Sequence, residues 1–291
     1  MRVRFLLARR PDGPSRIVVE VADLLRRRGL DVSSAIAEEM VQEPARLAEE
    51  ADLWLLKSYT PLSLSLAGAL HRAGARVLNP WPACIAARDK IAAAQVLEAA
   101  GIPAPRSWVT GDLALLAPLA RQMALVVKPY MGWRGEGVRV VRGEAELRAL
   151  PRPQEPVLVQ EFLPGPGVDL RCYVVGDRVF ATRKPFSTTS FSVPGQEVAV
   201  SGDVRSIALR CGDAFGLGLY GLDLIETPDG PRVVDVNYFP GYKGIPDAPH
   251  AVASYVAAYA EGRAALPDAP GRAPVRPAPA GDGARCFGAR T

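Results

Sequence analysis

The chain has 291 residues, of which 48% are hydrophobic and 23% charged, and its formal net charge is +4. This composition is typical of a soluble globular protein with two or three lobes, and it excludes a disordered or fibrous class. Because we find no apolar run of membrane-spanning length and no leader-like segment, we expect a cytoplasmic protein without a membrane partner. The small positive charge does not predict nucleic-acid binding.

The first 80 residues alternate between strand-like and helix-like segments. Such alternation predicts parallel βαβ units in which helices cover a sheet. No Gly-x-Gly-x-x-Gly follows the first strand, so a dinucleotide-binding Rossmann domain is not predicted. The predicted strands are residues 2–8, 30–36, 52–56 and 76–78, and the predicted helices are residues 15–28, 38–50 and 61–72.

Lysine is rare in this chain, since only five of its 35 basic residues are lysines. In an arginine-rich chain, a lysine can mark a position where a compact ammonium fits better than a planar guanidinium. The alternative is that the lysines occur at these positions by chance. Lys57 follows the third predicted strand, at the edge where open α/β sheets bind ligands. It is therefore a candidate substrate contact, although a surface lysine is the simpler interpretation. The five lysines are Lys57, Lys90, Lys128, Lys184 and Lys243.

A glycine-rich loop follows a short apolar strand in the middle of the chain. The strand at residues 125–127 ends at Lys128, and the loop at residues 130–137 holds Gly132, Gly135 and Gly137. Glycines let backbone N–H groups approach an anion closely, although a plain hairpin turn would also use them. Around this loop we predict helices at residues 85–100 and 112–121 and strands at residues 107–109 and 138–141.

The remaining part of the chain is predicted as strands, helices and a tail. We predict a strand at residues 157–162, a hairpin at residues 169–175 and 178–184, a mobile polar loop at residues 187–196, and helices at residues 203–215 and 249–261. From residue 266 the Pro/Ala/Gly/Arg composition predicts a disordered tail. The four cysteines form no Cys-x-x-Cys pair, so neither a disulfide framework nor a zinc site is predicted.

A second predicted hairpin brings oxygen-bearing side chains together. Asp223 lies on its first strand (residues 222–226), while Asp235 and Asn237 lie on and just after its second strand (residues 232–236). Residues two apart on a strand share a face, and an antiparallel partner can bring Asp223 opposite them. Two carboxylates and an amide among apolar neighbours, with no Cys or His, suit Mg²⁺. The alternative is a hairpin whose acids are simply hydrated.

Together these segments meet the requirements of a nucleoside triphosphate site. Lys90 and Lys128 offer positive charge to the phosphates, the glycine loop offers backbone donors, and the hairpin offers metal ligands. Further candidates lie where an adenine edge and a ribose can be contacted. They are Gln160, Glu161, Phe162 and Asp169.

The order of these segments resembles the ATP-grasp superfamily, and residues 79–99, 125–128, 158–175 and 221–242 look most similar to its RimK branch. The resemblance implies a mixed α/β and α+β fold, in which an N-terminal parallel-sheet (pre-ATP-grasp) lobe precedes the ATP-grasp domain. The implied first lobe is residues 1–80, the ATP-grasp domain is residues 81–265, and the tail is residues 266–291. Within the ATP-grasp domain, a central lid lobe covers about residues 104–158 and a C-terminal lobe about residues 159–265.

The resemblance also implies a role for each candidate. Lys90, Lys128 and the glycine loop would bind ATP, Gln160–Phe162 would form the adenine hinge, and Asp169 to Arg171 would contact nucleotide and substrate. The metal ligands would be Asp223, Asp235 and Asn237, and the family often has Glu at the middle position. Arg171 and Arg183 are the candidates for stabilising developing charge or orienting a carboxylate.

A second branch, the inositol 1,3,4-trisphosphate 5/6-kinases, is also similar over residues 235–241 (DVNYFPG). In that branch a lysine matched by Lys57, and a His and a Lys after the hinge, contact substrate phosphates. Residues 163–171 contain neither His nor Lys, which favours the RimK branch, whose ligases join amino acids or peptides through an acyl-phosphate. The candidate substrate contacts are Lys57, Lys184 and Lys243.

We therefore expect an ATP- and Mg²⁺-dependent carboxylate–amine ligase that acts through an acyl-phosphate on a small-molecule or peptide substrate. Electrostatics and positioning would carry the chemistry, because no covalent nucleophile is required. The alternatives are an inositol polyphosphate kinase and a non-catalytic ATP-binding module. Self-association into a homo-oligomer stays open.

Overall fold

The computed structural model describes residues 1–132, 135–185 and 194–267. Its first sheet has four parallel strands in the order β2-β1-β3-β4. Helix α1 covers this sheet because its apolar positions recur on one face, and α2 begins at Pro61 after Thr60, whose hydroxyl accepts from the Ser63 N–H. The elements are β1 (Arg2–Leu7), α1 (Arg16–Arg27), β2 (Asp31–Ile36), β3 (Leu53–Lys57), α2 (Pro61–Arg72) and β4 (Val77–Leu78).

The prediction of a helix at residues 38–50 is wrong. The structure has two short 3-10 turns there, Ala37–Glu39 and Leu47–Glu50. Pro44 lies in the middle of the stretch, where it would remove a helical hydrogen bond. The acids form ion pairs and hydrogen bonds with neighbours instead, as Glu50 does with Arg4 on β1.

The helix predicted at residues 85–100 is two helices, α3 (Trp81–Arg88) and α4 (Lys90–Ala99). Asp89 has an extended backbone, and its carboxylate caps α4 by accepting from the N–H groups of Ile91 and Ala92. The break makes Lys90 the first residue of a helix, which matters for the site described below.

The second sheet, which we call the lid sheet, is antiparallel in the order β5-β8-β6-β7. Its buried apolar side chains form a cluster of their own, separate from the larger core. The helix predicted at residues 112–121 is a 3-10 turn (Leu113–Leu116) followed by a short helix. The elements are β5 (Ser107–Thr110), α5 (Ala117–Ala120), β6 (Leu125–Pro129), β7 (Arg139–Val141), α6 (Glu144–Arg148) and β8 (Val157–Glu161).

The third sheet is antiparallel in the order β11-β10-β9-β12-β13 and shares one continuous core with the first sheet. Most of the predicted loop at 187–196, and the predicted tail from residue 268, lie outside the described residues. None of the described helices is long and apolar enough to span a membrane. The elements are β9 (Val168–Val175), β10 (Arg178–Pro185), β11 (Gln196–Val198), α7 (Gly202–Phe215), β12 (Leu219–Thr227), β13 (Gly230–Tyr238) and α8 (Ala248–Ala260). The lobe boundaries stay a prediction. Strand β8 crosses the boundary predicted at residues 158–159, between the central lid lobe and the C-terminal lobe.

A buried asparagine joins the first sheet to the third. Asn79 is fully buried after β4; its Nδ2 donates to the Leu219 carbonyl (2.7 Å), and its Oδ1 accepts from the N–H groups of Gly218 (2.9 Å) and Leu219 (3.0 Å). Asn79→Ala should lower the free energy of unfolding by about 3 kcal/mol or more, because three buried backbone groups lose their partners. Urea denaturation measures this.

The control for Asn79→Ala is Ser254→Ala. Ser254 is exposed on α8, where its hydroxyl accepts one hydrogen bond from Arg28 (2.7 Å). We expect a change within about 0.5 kcal/mol there, as for most surface substitutions. Equal stability of Asn79→Ala and the unchanged protein would contradict a structural role for the asparagine.

Candidate functional site

The hairpin of β12 and β13 places three oxygen-bearing side chains on one face. Asp223 pairs directly with Asp235, and Asn237 lies two residues further along β13. The Asn237 Nδ2 donates to Asp235 Oδ2 at 3.3 Å, and each carboxylate is about one quarter exposed. We call Asp223, Asp235 and Asn237 the oxygen clamp. The predicted proximity of these three side chains is therefore present in the structure.

Two ammonium groups from different parts of the chain meet at the clamp. Lys90, at the start of α4, has its Nζ 2.6 Å from Asp235 Oδ1. Lys128, from the lid sheet, donates from Nζ to the Val234 carbonyl at 3.2 Å. Val234 is the extra residue of a β-bulge, because Leu224 pairs with Val233 directly after the Asp223–Asp235 pair. The bulge thus offers a backbone carbonyl to the lid-sheet lysine.

The charges at the clamp shift one another's protonation. Burial lowers the pKa of Lys128 to about 8, and the Lys90 ammonium acts in the same direction while Asp235 opposes it. Burial alone would raise the pKa of Asp235, but the charges of Lys90 and Lys128 and the hydrogen bond from Lys90 outweigh it and lower that pKa. Asp235 is therefore held as a carboxylate between two cations.

Asp223 is in a different electrostatic environment. Burial raises the pKa of the Asp223 carboxyl, and the negative charge of the facing Asp235 raises it further, whereas the positive charge of Arg171 lowers it. Arg171 lies opposite Asp223 on β9, with Nε 2.7 Å from Oδ1. A second carboxylate this close to Asp235 favours a bound cation, and oxygen ligands without Cys or His suit Mg²⁺. The described part of the chain has no cluster of three or more His, Cys, Asp or Glu that could hold a metal ion.

Further charged residues extend along the same face of the third sheet. Asp169 lies two residues before Arg171 on β9, and Lys184 pairs with it on β10. Lys184 is only 6% exposed, and burial, then the charge of Arg171, lowers its pKa. The charge of Lys243, on the loop after β13, acts in the same direction. A row of opposite charges therefore continues from the clamp towards β10.

Arg183 is not brought to the clamp. It neighbours Lys184 on β10, so its side chain points to the opposite face. There its guanidinium forms a two-pronged ion pair with Glu226, with Nη2–Oε1 at 2.6 Å and Nε–Oε2 at 3.2 Å. Arg183 and Lys184 were both predicted to lie in one site. Because neighbouring residues of a strand point to opposite faces, the sheet separates their side chains.

The predicted adenine hinge lies at the end of β8, in the lid sheet. The N–H groups of Glu161 and Phe162 already donate to the carbonyls of Arg106 (3.0 Å) and Ala124 (2.9 Å). The Glu161 carboxylate binds Arg106, and Gln160 is buried with its Nε2 donating to Ser107 Oγ (3.2 Å). The hinge assignment for Gln160, Glu161 and Phe162 stays a prediction.

The glycine loop begins beside the junction of α3 and α4. The Lys90 N–H donates to the Tyr130 carbonyl at 2.9 Å, and Arg88 Nη1 donates to the Gly132 carbonyl at 2.7 Å. Residues 133 and 134 of the loop lie outside the described residues. Gly137 has φ +73°, and a Cβ there would lie 2.6 Å from Pro129 Cγ, so only glycine fits. Gly135 also has φ +73°.

Arg88 is a residue that the sequence analysis did not single out. In the ATP site that the resemblance implies, Arg88→Met should raise the KM for ATP about tenfold, because one hydrogen bond from a charged group to the glycine loop is lost. Steady-state kinetics with varied ATP measures this, and exposed Arg72→Met on α2 is the control. An unchanged KM with a lowered kcat would contradict a role in nucleotide binding.

The sequence matches the RimK-like ATP-grasp domain over residues 87–257, which is more than half of the chain and includes the clamp, both ammonium groups and the glycine loop. The chain belongs to the RimK-like ATP-grasp family. The predicted family is thus confirmed. Which residues of this RimK-like protein bind nucleotide and metal stays a prediction that rests on the geometry described here.

A probable alpha-L-glutamate ligase of Shewanella loihica is 33% identical over 190 residues, which cover 60% of this chain and 63% of the relative. The chain thus spans a little under two thirds of the length of the first curated relatives. Among solved structures, a RimK-domain ATP-grasp protein of Sphaerobacter thermophilus has a TM-score of 0.71 at 21% identity, covering 88% of this chain and 98% of its own. A RiPP-associated ATP-grasp ligase of Chryseobacterium gregarium, in complex with ADP and peptides, has a TM-score of 0.71 at 14% identity, covering 92% and 99%. These structures confirm the ATP-grasp fold.

Proposed function

We propose that this RimK-like protein is an ATP- and Mg²⁺-dependent ligase that joins a carboxylate to an amine. The observation that carries the proposal is the meeting of two lysines from separate segments, Lys90 and Lys128, at the oxygen clamp. The curated relatives named alpha-L-glutamate ligase support the reaction class. An amino acid or a peptide is the substrate class that these relatives and the peptide-bound ligase suggest.

In this proposal the chain divides nucleotide binding among three segments. Lys128, Lys90 and the N–H groups of the glycine loop bind the phosphates, while Asp223, Asp235 and Asn237 hold Mg²⁺. ATP supplies the phosphoryl group that activates the substrate carboxylate, and Mg²⁺ neutralises charge on the phosphates. Because Lys90 is already paired with Asp235, the positive charges are fixed in place before the nucleotide binds, which reduces the reorganisation needed.

The other end of the clamp is where the carboxylate substrate would bind. Arg171 lies opposite Asp223, and Lys184 continues the same face. A guanidinium can hold a carboxylate through two parallel hydrogen bonds and so orient it towards the phosphates. Lys184 and Lys243 would add positive charge that favours an anionic substrate. The amine then attacks the activated carbonyl, and phosphate leaves.

The decisive experiment measures what happens to the phosphate of ATP. The protein is incubated with Mg·ATP and a panel of carboxylates and amines that includes L-glutamate and short peptides, and free phosphate and product masses are recorded. We expect phosphate release only when both substrates are present, with a product whose mass is their sum minus water. The control omits each substrate in turn.

Two outcomes would contradict the ligase. A stable phosphorylated product from an inositol phosphate panel, with no phosphate released, would assign the protein to the kinase alternative. Nucleotide binding without any turnover across both panels would indicate a non-catalytic ATP-binding module.

A further inference from the structure

Lys57 brings a positive charge to the carboxyl edge of the first sheet. It is the last residue of β3, and its pairing partner Leu7 is the last residue of β1. Ligands of open α/β sheets bind outside this edge. Two residues later, Tyr59 reaches the hairpin, so the edge faces the strand that carries Asp235 and Asn237.

Two aromatic rings hold the Lys57 ammonium. Its Nζ lies 5.6 Å from the centroid of the Tyr59 ring and 5.4 Å from that of the Phe239 ring, which are cation–π distances. Tyr59 is itself fixed, because its hydroxyl donates to the Tyr238 carbonyl and the two tyrosine rings lie 4.5 Å apart. Tyr238 completes the link by donating to the Ser58 carbonyl at 2.5 Å. The ammonium therefore lies on an ordered aromatic surface.

No carboxylate balances this charge within the part of the chain that the structure describes. Burial lowers the pKa of Lys57 to about 7, and the charge of Arg10 acts in the same direction. Arg10 follows β1 at the same edge of the sheet. A partly desolvated ammonium is stabilised by an anion that binds beside it.

The Lys57 site lies beside the end of the strand that carries two residues of the oxygen clamp. The Phe239 ring that contacts Lys57 belongs to the residue directly after Tyr238, the last residue of β13, and Asn237 lies on β13 just before Tyr238. The edge of the first sheet that carries Lys57 therefore meets the end of the strand that carries Asp235 and Asn237. Among the described residues, Lys57 is the cation that the Tyr59 and Phe239 rings hold, and one ammonium suits a single carboxylate better than a polyphosphate, which needs denser positive charge.

We propose that Lys57 binds a second, unreacted carboxylate of a substrate that lies between the first sheet and the oxygen clamp. One of the two molecules that the ligase joins would then carry a free carboxylate remote from the reacting atoms. The assignment of this group to a ligase substrate rests on the proposed function. Binding of the carboxylate does not, because it requires no turnover.

The rarity of lysine makes the site directly observable. In protein labelled with ¹³C-lysine, only five side chains contribute Hε–Cε signals, and Lys57→Met identifies the Lys57 signal by its loss. The probes are L-glutamate, glutarate and the neutral diamide glutaramide, each titrated in the presence of Mg·ADP, with inorganic phosphate as a separate arm. We expect both carboxylates, but not glutaramide, to shift the Lys57 signal.

Affinity measurements on variants complete the test. By calorimetry, Lys57→Met should weaken glutarate or L-glutamate binding at least tenfold and leave Mg·ADP binding within twofold, Lys57→Arg should recover part of the loss, and exposed Arg16→Met should change neither. An unresponsive Lys57 signal, an equal shift with glutaramide, or a response to phosphate alone would overturn the proposal. So would loss of Mg·ADP binding in Lys57→Met, since the lysine would then support the fold.

The two proposals can fail separately. Carboxylate binding at Lys57 without any ligation would contradict only the ligase. Ligation that is unaffected by Lys57→Met, with no carboxylate bound there, would contradict only the inference about Lys57.

Discussion

Asp235→Asn should reduce kcat/KM for ATP-dependent turnover by a factor on the order of 10³. The amide is nearly isosteric with the carboxylate, but it carries no charge to hold Mg²⁺ or to balance Lys90 and Lys128. Steady-state kinetics over a range of Mg²⁺ concentrations measures the effect, and we expect the apparent affinity for Mg²⁺ to fall as well. Mg·ADP binding by calorimetry should weaken in parallel.

The matched control lies on the same hairpin. Asp229 is in the turn between β12 and β13, its side chain is 83% exposed, and Asp229→Asn should leave turnover within about twofold. Circular dichroism should show both variants folded. Full activity of Asp235→Asn would show that the clamp does not hold the metal that turnover needs.

Lys128→Met should weaken Mg·ATP binding about 100-fold. The ammonium is partly buried beside Asp235, and an interaction between charges about 4 Å apart is worth several kcal/mol where the effective dielectric is low. Methionine keeps the length of the side chain and removes only the charge and the hydrogen bond to Val234. Calorimetry with a non-hydrolysable ATP analogue measures the change.

The lid sheet offers a close control for Lys128. Arg139 on β7 pairs with Val127, so it points to the face opposite Lys128, and it is exposed. Arg139→Met removes a positive charge from the same sheet and should leave nucleotide affinity nearly unchanged. Equal losses in the two variants would mean that the general charge of the lid sheet, rather than the position of Lys128, binds nucleotide.

The hairpin could be predicted because its information is local. A Pro-Asp-Gly turn fixes the pairing of β12 with β13, and the period of two along a strand then brings Asp223 opposite Asp235. The same rule, applied to β10, would have separated Arg183 from Lys184, since neighbours on a strand face opposite ways. That error lay in the application of the rule, because the sequence already contained the signal.

Two further features were missed for different reasons. The signal for the helix break at Asp89 is local, because Asp is a preferred N-cap residue and its carboxylate accepts from the N–H groups of Ile91 and Ala92, but the prediction of one helix over residues 85–100 overlooked it. The ring contacts of Lys57 with Phe239 join residues far apart in sequence. A pattern of residue types can suggest each partner, but only the packed sheets bring the two together.

The separate apolar cluster of the lid sheet has a consequence for how this protein can be altered. Because Leu125, Val127 and their neighbours pack apart from the larger core, a substitution there should shift the position of Lys128 at the hairpin without loosening the sheets that carry Arg171 and Lys57. Under the proposed function, nucleotide affinity and substrate selectivity can therefore change independently in evolution, or be altered one at a time by protein engineering.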